Sequence, residues 1–267
     1  MKPLSIYQVD AFTDHLFGGN PAAVVPLEDW LDDALMQQIA LENNLSETAF
    51  FVATPGTDAD FYLRWFAPAA EVDLCGHATL ASAWVIFNKL GWSGESITLT
   101  CKSGLLGVAK KADNWLELDF PYLRTTEVPV PAALKQSVAG AAETVHLVTG
   151  GGNYLVELEN EAAVRALSPD MSLLRKLGQN GVIVTAPGDH SDFASRYFAP
   201  AFGFDEDPVT GSIHSVLTPF WAERLNKSDL LAHQVSARGG VLKCQLRNDR
   251  VAIAGQAAFY MEGTIHL

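Results

Sequence analysis

Three short segments carry side chains whose chemistry could be combined: Asn44-Leu45-Ser46-Glu47-Thr48, Cys75-Gly76-His77 and Asp207-Pro208-Val209-Thr210-Gly211-Ser212. Carboxylates and imidazoles take and return protons near neutral pH. Glu47, Asp207 and His77 are therefore candidates for acid/base work. Each also has a plain structural reading: Glu47 as a helix-end or surface carboxylate, Asp207 as a helix cap, His77 as a satisfied N-cap. Other chemistry is poorly supported. Cys75-x-His77 is half a metal site, but none of the seven histidines supplies a second pair at suitable spacing. Ser212, His77 and Asp207 could make a hydrolase triad, yet there is no Gly-x-Ser-x-Gly elbow. Gly150-Gly151-Gly152 leads into a strand-like run at 154–158, not the helix that a dinucleotide fingerprint needs.

The elements that must position these residues come twice. Gly18-Gly19-Asn20 recurs as Gly151-Gly152-Asn153, and Arg64-Trp65-Phe66-Ala67-Pro68 as Arg196-Tyr197-Phe198-Ala199-Pro200. Thr54-Pro55-Gly56 matches Ala186-Pro187-Gly188, and Cys75-Gly76-His77 matches Thr210-Gly211-Ser212. The order is kept and the offsets run from 132 to 135, which reads as an internal duplication. In the first half, 4–9, 22–25, 48–52, 61–66, 97–100, 104–109 and 115–118 read as strands and 31–41 as an amphipathic helix. A second helix is expected over 78–90; it is apolar nearly all round and so must be buried on every side. The second half offers strands at 145–148, 154–158, 182–185 and 195–198 and helical pieces at 161–167 and 171–177. Its apolar helix is expected over 212–225, where Pro219 should kink it. Residues 125–131, with two prolines, look like the linker.

The halves differ where chemistry could sit. At offset 132 Gln179 stands opposite Glu47; at 135 Ser212 stands opposite His77, and Val72 opposite Asp207. A duplicated scaffold with unlike groups at equivalent places suits an acid/base site in a cleft between two lobes, a preferred place for ligands. Gly76 and Gly211 let backbone come close to a ligand, and they open the two apolar helices, whose first N–H groups favour anions.

The chain has 267 residues, 48% of them hydrophobic and 18% charged, with a net charge of −13. That composition fills a core and is not that of a disordered chain. The acidity lacks the Lys/Arg footprint for nucleic acid and argues against anionic membranes. An anionic substrate would have to be held by local helix termini against this field. Three scattered cysteines, Cys75, Cys101 and Cys244, do not form a disulfide framework. With no apolar leader or long apolar run, a soluble cytoplasmic protein is expected.

Asn44-Leu45-Ser46-Glu47-Thr48-Ala49-Phe50, Arg64-Trp65-Phe66-Ala67-Pro68, Cys75-Gly76-His77-Ala78-Thr79 and Asp205-Glu206-Asp207-Pro208-Val209-Thr210-Gly211-Ser212, with Gly18-Gly19-Asn20-Pro21, together resemble the PhzF-like family of the diaminopimelate-epimerase fold superfamily. The resemblance runs along the whole chain. It implies an α+β fold of two pseudo-symmetric lobes, each a barrel-like mixed or antiparallel sheet around a central apolar helix. The expected lobes are 1–124, joined by the tail 256–267, and 125–255, with the site in the cleft between them. The resemblance also implies a cofactor-free, metal-free site, a small carboxylate-bearing substrate and a homodimer. Glu47 would be the general acid/base, with His77 and Asp207 as its catalytic partners and Gly76, Gly211 and Ser212 holding substrate. The related epimerases use a pair of cysteines; here Cys75 faces Thr210, so a two-thiol racemisation is unsupported. Three readings follow: a proton-moving isomerase, an amino-acid epimerase using one thiol, or a binding protein without turnover.

Overall fold

The computed structural model describes residues 3–142, 144–150 and 152–267. Gly151, part of the second Gly-Gly-Asn segment, lies outside the described residues. Eighteen strands and six α-helices form among the described residues, which makes the protein mixed α+β. By backbone contacts the chain divides into two units, residues up to 119 with 254–267, and residues 120–253. No helix among the described residues is long and apolar enough to cross a membrane.

The first unit begins with β1 (Leu4–Ala11), β2 (Asn20–Leu27), α1 (Asp33–Asn43) and β3 (Glu47–Ala53). It continues with β4 (Phe61–Phe66), β5 (Glu71–Val72), α2 (Gly76–Asn88), β6 (Ser96–Cys101), β7 (Gly104–Lys110) and β8 (Leu116–Pro121). α1 starts two residues later than its apolar spacing suggests, because the Asp32 carbonyl accepts from the N–H groups of Leu35 and Met36. Its buried face is Met36, Ile39 and Ala40. Asn44 ends it in the left-handed region, φ 50°, with its N–H on the Ala40 carbonyl. Asparagine tolerates that conformation better than most residues, and the turn delivers Glu47 to the head of β3. α2 is buried along almost its whole length and packs against β1, β2 and β3. Its buried hydroxyls are satisfied within the helix: Thr79 Oγ1 donates to the Cys75 carbonyl at 2.6 Å and Ser82 Oγ to the Ala78 carbonyl at 2.7 Å.

The second unit holds β9 (Thr125–Pro129), α3 (Ala132–Ser137), β10 (Thr144–Val148), β11 (Asn153–Glu157), α4 (Glu161–Ala166) and α5 (Met171–Leu174). After these come β12 (Gly181–Pro187), β13 (Phe193–Ala199), β14 (Phe204–Asp207), α6 (His214–Leu225), β15 (Asp229–Gln234), β16 (Gly240–Arg247) and β17 (Arg250–Gly255). The last strand, β18 (Ala257–Ile265), pairs antiparallel with β1 from Leu4↔Ile265 to Ala11↔Ala257 and so belongs to the first unit.

Pairing follows the same scheme in each unit. β1–β2 and β10–β11 are antiparallel, β2–β3 and β11–β12 parallel, β3–β4 and β12–β13 antiparallel. β4–β5 and β13–β14 are antiparallel, β4–β6 and β13–β15 parallel, β6–β7 and β15–β16 antiparallel.

Two sequence expectations change. The supposed linker is strand over 125–129, paired with β10 from Thr125↔Val148 to Pro129↔Thr144. Thr125, Thr126 and Val128 favour a strand, and Pro129 falls at its last residue. The second apolar helix starts at His214, not Ser212; residues 211–213 form a tighter turn in which Gly211 and Ser212 carbonyls accept from the N–H groups of His214 and Ser215. α6 also runs on through Pro219. Proline cannot bond the carbonyl four residues back, and that carbonyl, on Ser215, instead accepts from Leu123 N–H at 3.1 Å.

Candidate active site

In the first unit, Glu47, Gly76 and His77 come together. His77 is the second residue of α2 and is not its cap, since Cys75 holds that place. Its ring is buried, with Nε2 3.1 Å from Glu47 Oε2. Nδ1 faces the Asn20 amide nitrogen at 3.2 Å and Cys75 Sγ at 3.4 Å. An amide nitrogen only donates, so Nδ1 accepts and the proton of a neutral ring sits on Nε2, toward Glu47. Asn20 Oδ1 in turn accepts from Ser46 Oγ at 3.2 Å. Glu47 Oε2 is buried and has no well-aligned hydrogen-bond partner among the described residues.

Burial opposes the charged imidazolium, but Cys75 and Glu47, which face the ring, more than offset this and hold the His77 pKa well above the usual histidine range. Burial, reinforced by the Glu47 charge, pushes the Cys75 thiol up to about 11. At neutral pH Cys75 is therefore a thiol.

Asn20 was visible in sequence as part of the repeated Gly-Gly-Asn, though not as a site residue. The turn before it needs glycine. Gly19 has φ +60°, and a Cβ there would run into the Ala11 carbonyl oxygen. That close approach sets Asn20 opposite Ala11 at the head of β2, wholly buried beneath His77.

The second unit gathers Asp207, Gly211 and Ser212 around the turn before α6. Asp207 is buried, and its Oδ2 accepts from Thr210 Oγ1 at 2.5 Å. Gln234, at the end of β15 and buried, clamps both: its Oε1 accepts from Thr210 N–H at 2.8 Å and its Nε2 donates to the Asp207 carbonyl at 2.9 Å. Nothing in the sequence pointed to Gln234. The arginine of each Arg-aromatic-Phe-Ala-Pro segment has a structural task. Arg64 grips Glu71 through two nitrogens at 2.7 and 2.9 Å, and Arg196 grips Glu206 at 2.7 and 2.8 Å. The second fork fixes β14 one residue before Asp207.

Strand register refines the asymmetry. Trp65 pairs with Val72 and Tyr197 with Asp207, so Val72 does occupy the place of Asp207. Glu47 is different. Thr48 pairs with Phe66 and Val182 with Phe198, which puts Gly181, not Gln179, in the place of Glu47. The ungapped offset missed two residues before β12. A Cβ at Gly181 would collide with the Tyr197 ring and stand 2.6 Å from Asn153 Oδ1. Asn153 Oδ1 accepts from Gly181 N–H and Tyr197 Oη, each at 3.0 Å. The Gly-Gly-Asn amide thus serves the Glu47–His77 pair in one unit and, in the other, a tyrosine that fills the place of Glu47.

The mixed α+β fold is of a class that PhzF-family proteins and an epimerase share. The sequence model of the family described as phenazine biosynthesis-like protein matches residues 9–263. An uncharacterised isomerase of Pseudomonas aeruginosa is 50% identical over 264 residues, covering 99% of each chain. A crystal structure of a PhzF-family phenazine biosynthesis protein from Enterococcus faecalis superposes with a TM-score of 0.93 at 44% identity, covering 100% of each chain. A hydroxyproline epimerase from Agrobacterium vitis shares the fold alone, with a TM-score of 0.69 at 10% identity over 98% of this chain and 92% of its own. The chain belongs to the phenazine biosynthesis-like (PhzF) family and is an isomerase.

Proposed function

We propose that this isomerase moves a proton between carbons of a small carboxylic acid, without a cofactor, and that Glu47 is its general acid/base. The observation that carries the reading is the Glu47–His77 pair: a buried carboxylate oxygen without an aligned partner, 3.1 Å from an imidazole whose other nitrogen is held by Asn20. The carboxylate takes a C–H proton; the electron pair left behind moves into the conjugated system; the carboxylic acid then returns the proton to a second carbon. His77 Nε2–H steadies the carboxylate while it is charged. Asp207, Gly76, Gly211 and Ser212 keep the positioning and substrate roles that the family resemblance implies. In the same proposal the two units descend from one duplicated lobe, which the matching pairing schemes support, and the protein works as a cytoplasmic homodimer.

The test is isotopic. Candidate cyclic or amino-bearing carboxylic acids are incubated with the protein in D2O and deuterium at carbon is followed by NMR. Glu47→Gln is expected to slow exchange by about 10²–10⁴-fold, the usual worth of a positioned general base. Equal exchange by wild type and variant rules Glu47 out. A single-thiol epimerase is the second reading. The Cys75 pKa near 11 weighs against it, and activity retained in Cys75→Ala would remove it.

A further inference from the structure

Cys75 takes no part in the proton transfer, yet its sulfur stands beside both groups that do. The Glu47 carboxylate, the Cys75 thiol and the His77 ring place donor atoms within 4.8 Å of one another. Sγ is 4.0 Å from Nε2, and Glu47 Oε2 is 3.1 Å from the same nitrogen. Tetrahedral zinc, with Zn–S near 2.3 Å and Zn–N or Zn–O near 2.0–2.1 Å, keeps its ligand atoms roughly 3.3–3.6 Å apart. The nitrogen–oxygen pair meets that requirement after a shift of about 0.2 Å and the sulfur–nitrogen pair after about 0.4 Å. Sequence spacing missed the set because it sought a second His/Cys pair, whereas the third donor is a carboxylate brought in by β3.

We propose that Glu47, Cys75 and His77 form a zinc site that switches the enzyme off, an inference that rests on Glu47 being the acid/base. Thiolate, imidazole and carboxylate together favour zinc over magnesium or calcium, which seek oxygen only. Three protein ligands leave one position for water or a substrate carboxylate. On binding, the Cys75 S–H bond breaks and an S–Zn bond forms, and the charged His77 ring gives up its Nε2 proton as that nitrogen takes the metal; both protons leave to solvent, zinc remains Zn²⁺ and nothing is oxidised. The remaining ring proton sits on Nδ1. The Asn20 amide can turn over to accept that proton while its NH2 donates to Ser46, a support of the kind metal-bound histidines use. With its carboxylate on zinc, Glu47 no longer takes a proton.

Chelator-treated protein is titrated with Zn²⁺ alone by equilibrium dialysis, and with Co²⁺ by absorption. One ion per chain is expected, with a sulfur-to-cobalt charge-transfer band in the near ultraviolet. Cys75→Ala and Cys75→Ser should lose the band and bind zinc at least tenfold more weakly. Zinc should inhibit deuterium exchange at the concentration at which dialysis shows it binding. The inhibition, measured against each protein's own metal-free rate, should weaken in Cys75→Ala by the same factor as binding. Zinc held equally by the cysteine variants, or bound at this site without inhibition, overturns the proposal. Failure of the exchange reading alone shows as stoichiometric, cysteine-dependent zinc binding by a protein that exchanges no proton.

Discussion

Asn20 holds the His77 ring at the nitrogen away from Glu47. Its influence comes from a contact 57 residues away in sequence, and for that reason chemistry-bearing types alone did not reveal it. Glu47 and His77 were legible as residue types within specific motifs, while Gln234 gains its importance only by lying between Asp207 and Thr210. A second histidine shows the opposite electrostatics. His214 is fully buried, donates from Nδ1 to the Thr210 carbonyl at 2.8 Å, and has no partner for Nε2 among the described residues. Burial holds its pKa down to about 4. The unfolded chain takes up this proton near pH 6.5, so between those values the unfolded state binds more protons and stability falls as pH falls. The loss is about 3 kcal/mol, absent above pH 6.5 and complete below pH 4. Urea midpoints measured at pH 7.5 and 4.5 should separate more for wild type than for His214→Asn. An equal separation in both would trace the acid sensitivity to other groups.

Elements were most legible where burial was one-sided or complete. The apolar run over 78–90 announced a buried helix, and α2 is that helix, shifted two residues toward its N-terminus because Cys75 and Thr79 close its first turn. Strand limits were less legible, and so was register: a two-residue shift before β12 leaves motifs aligned by eye yet changes which residue faces which. At Pro219 the freed carbonyl, on Ser215, finds a distant partner in Leu123, nearly a hundred residues earlier in the chain, which local patterns do not reveal. α2 is also where packing energy concentrates. Leu80 has no exposed surface, and truncating such a residue costs about 2–5 kcal/mol through lost transfer energy and the cavity left. Leu80→Ala should lower the urea midpoint of the first unit accordingly, read from the near-ultraviolet signal of Trp84 on the same helix. A shift within error would mean that the surrounding strands collapse into the space.

At the scale of the whole molecule, length and repeat foretold two units, but not that the chain leaves the first unfinished and returns to complete it. The return is anchored by more than the ladder. Trp84 stacks on Phe259 with ring centroids 5.3 Å apart, Lys89 Nζ meets Glu262 at 2.8 Å, and Phe12 and Thr13 N–H groups both donate to the Gln256 carbonyl. The net charge of −13 showed only which partners to exclude; it said nothing of this closure.

That pairing of the first strand with the last has a consequence for synthesis. A ribosome makes β1 before the second unit and β18 after it, and the second unit, a continuous stretch, is complete before β18 exists. The N-terminal half must therefore wait, its first strand short of a neighbour, while the half made after it is already able to fold. Nascent chains arrested with residue 253 clear of the exit tunnel should yield a protease-resistant fragment from 120–253 and digest readily before residue 119. Extending the arrest point until 267 emerges should protect both. If the N-terminal half resists protease before β18 emerges, the last strand is an embellishment and not the closing step. Glu47 and His77 are thus translated before the second unit and put in place after it.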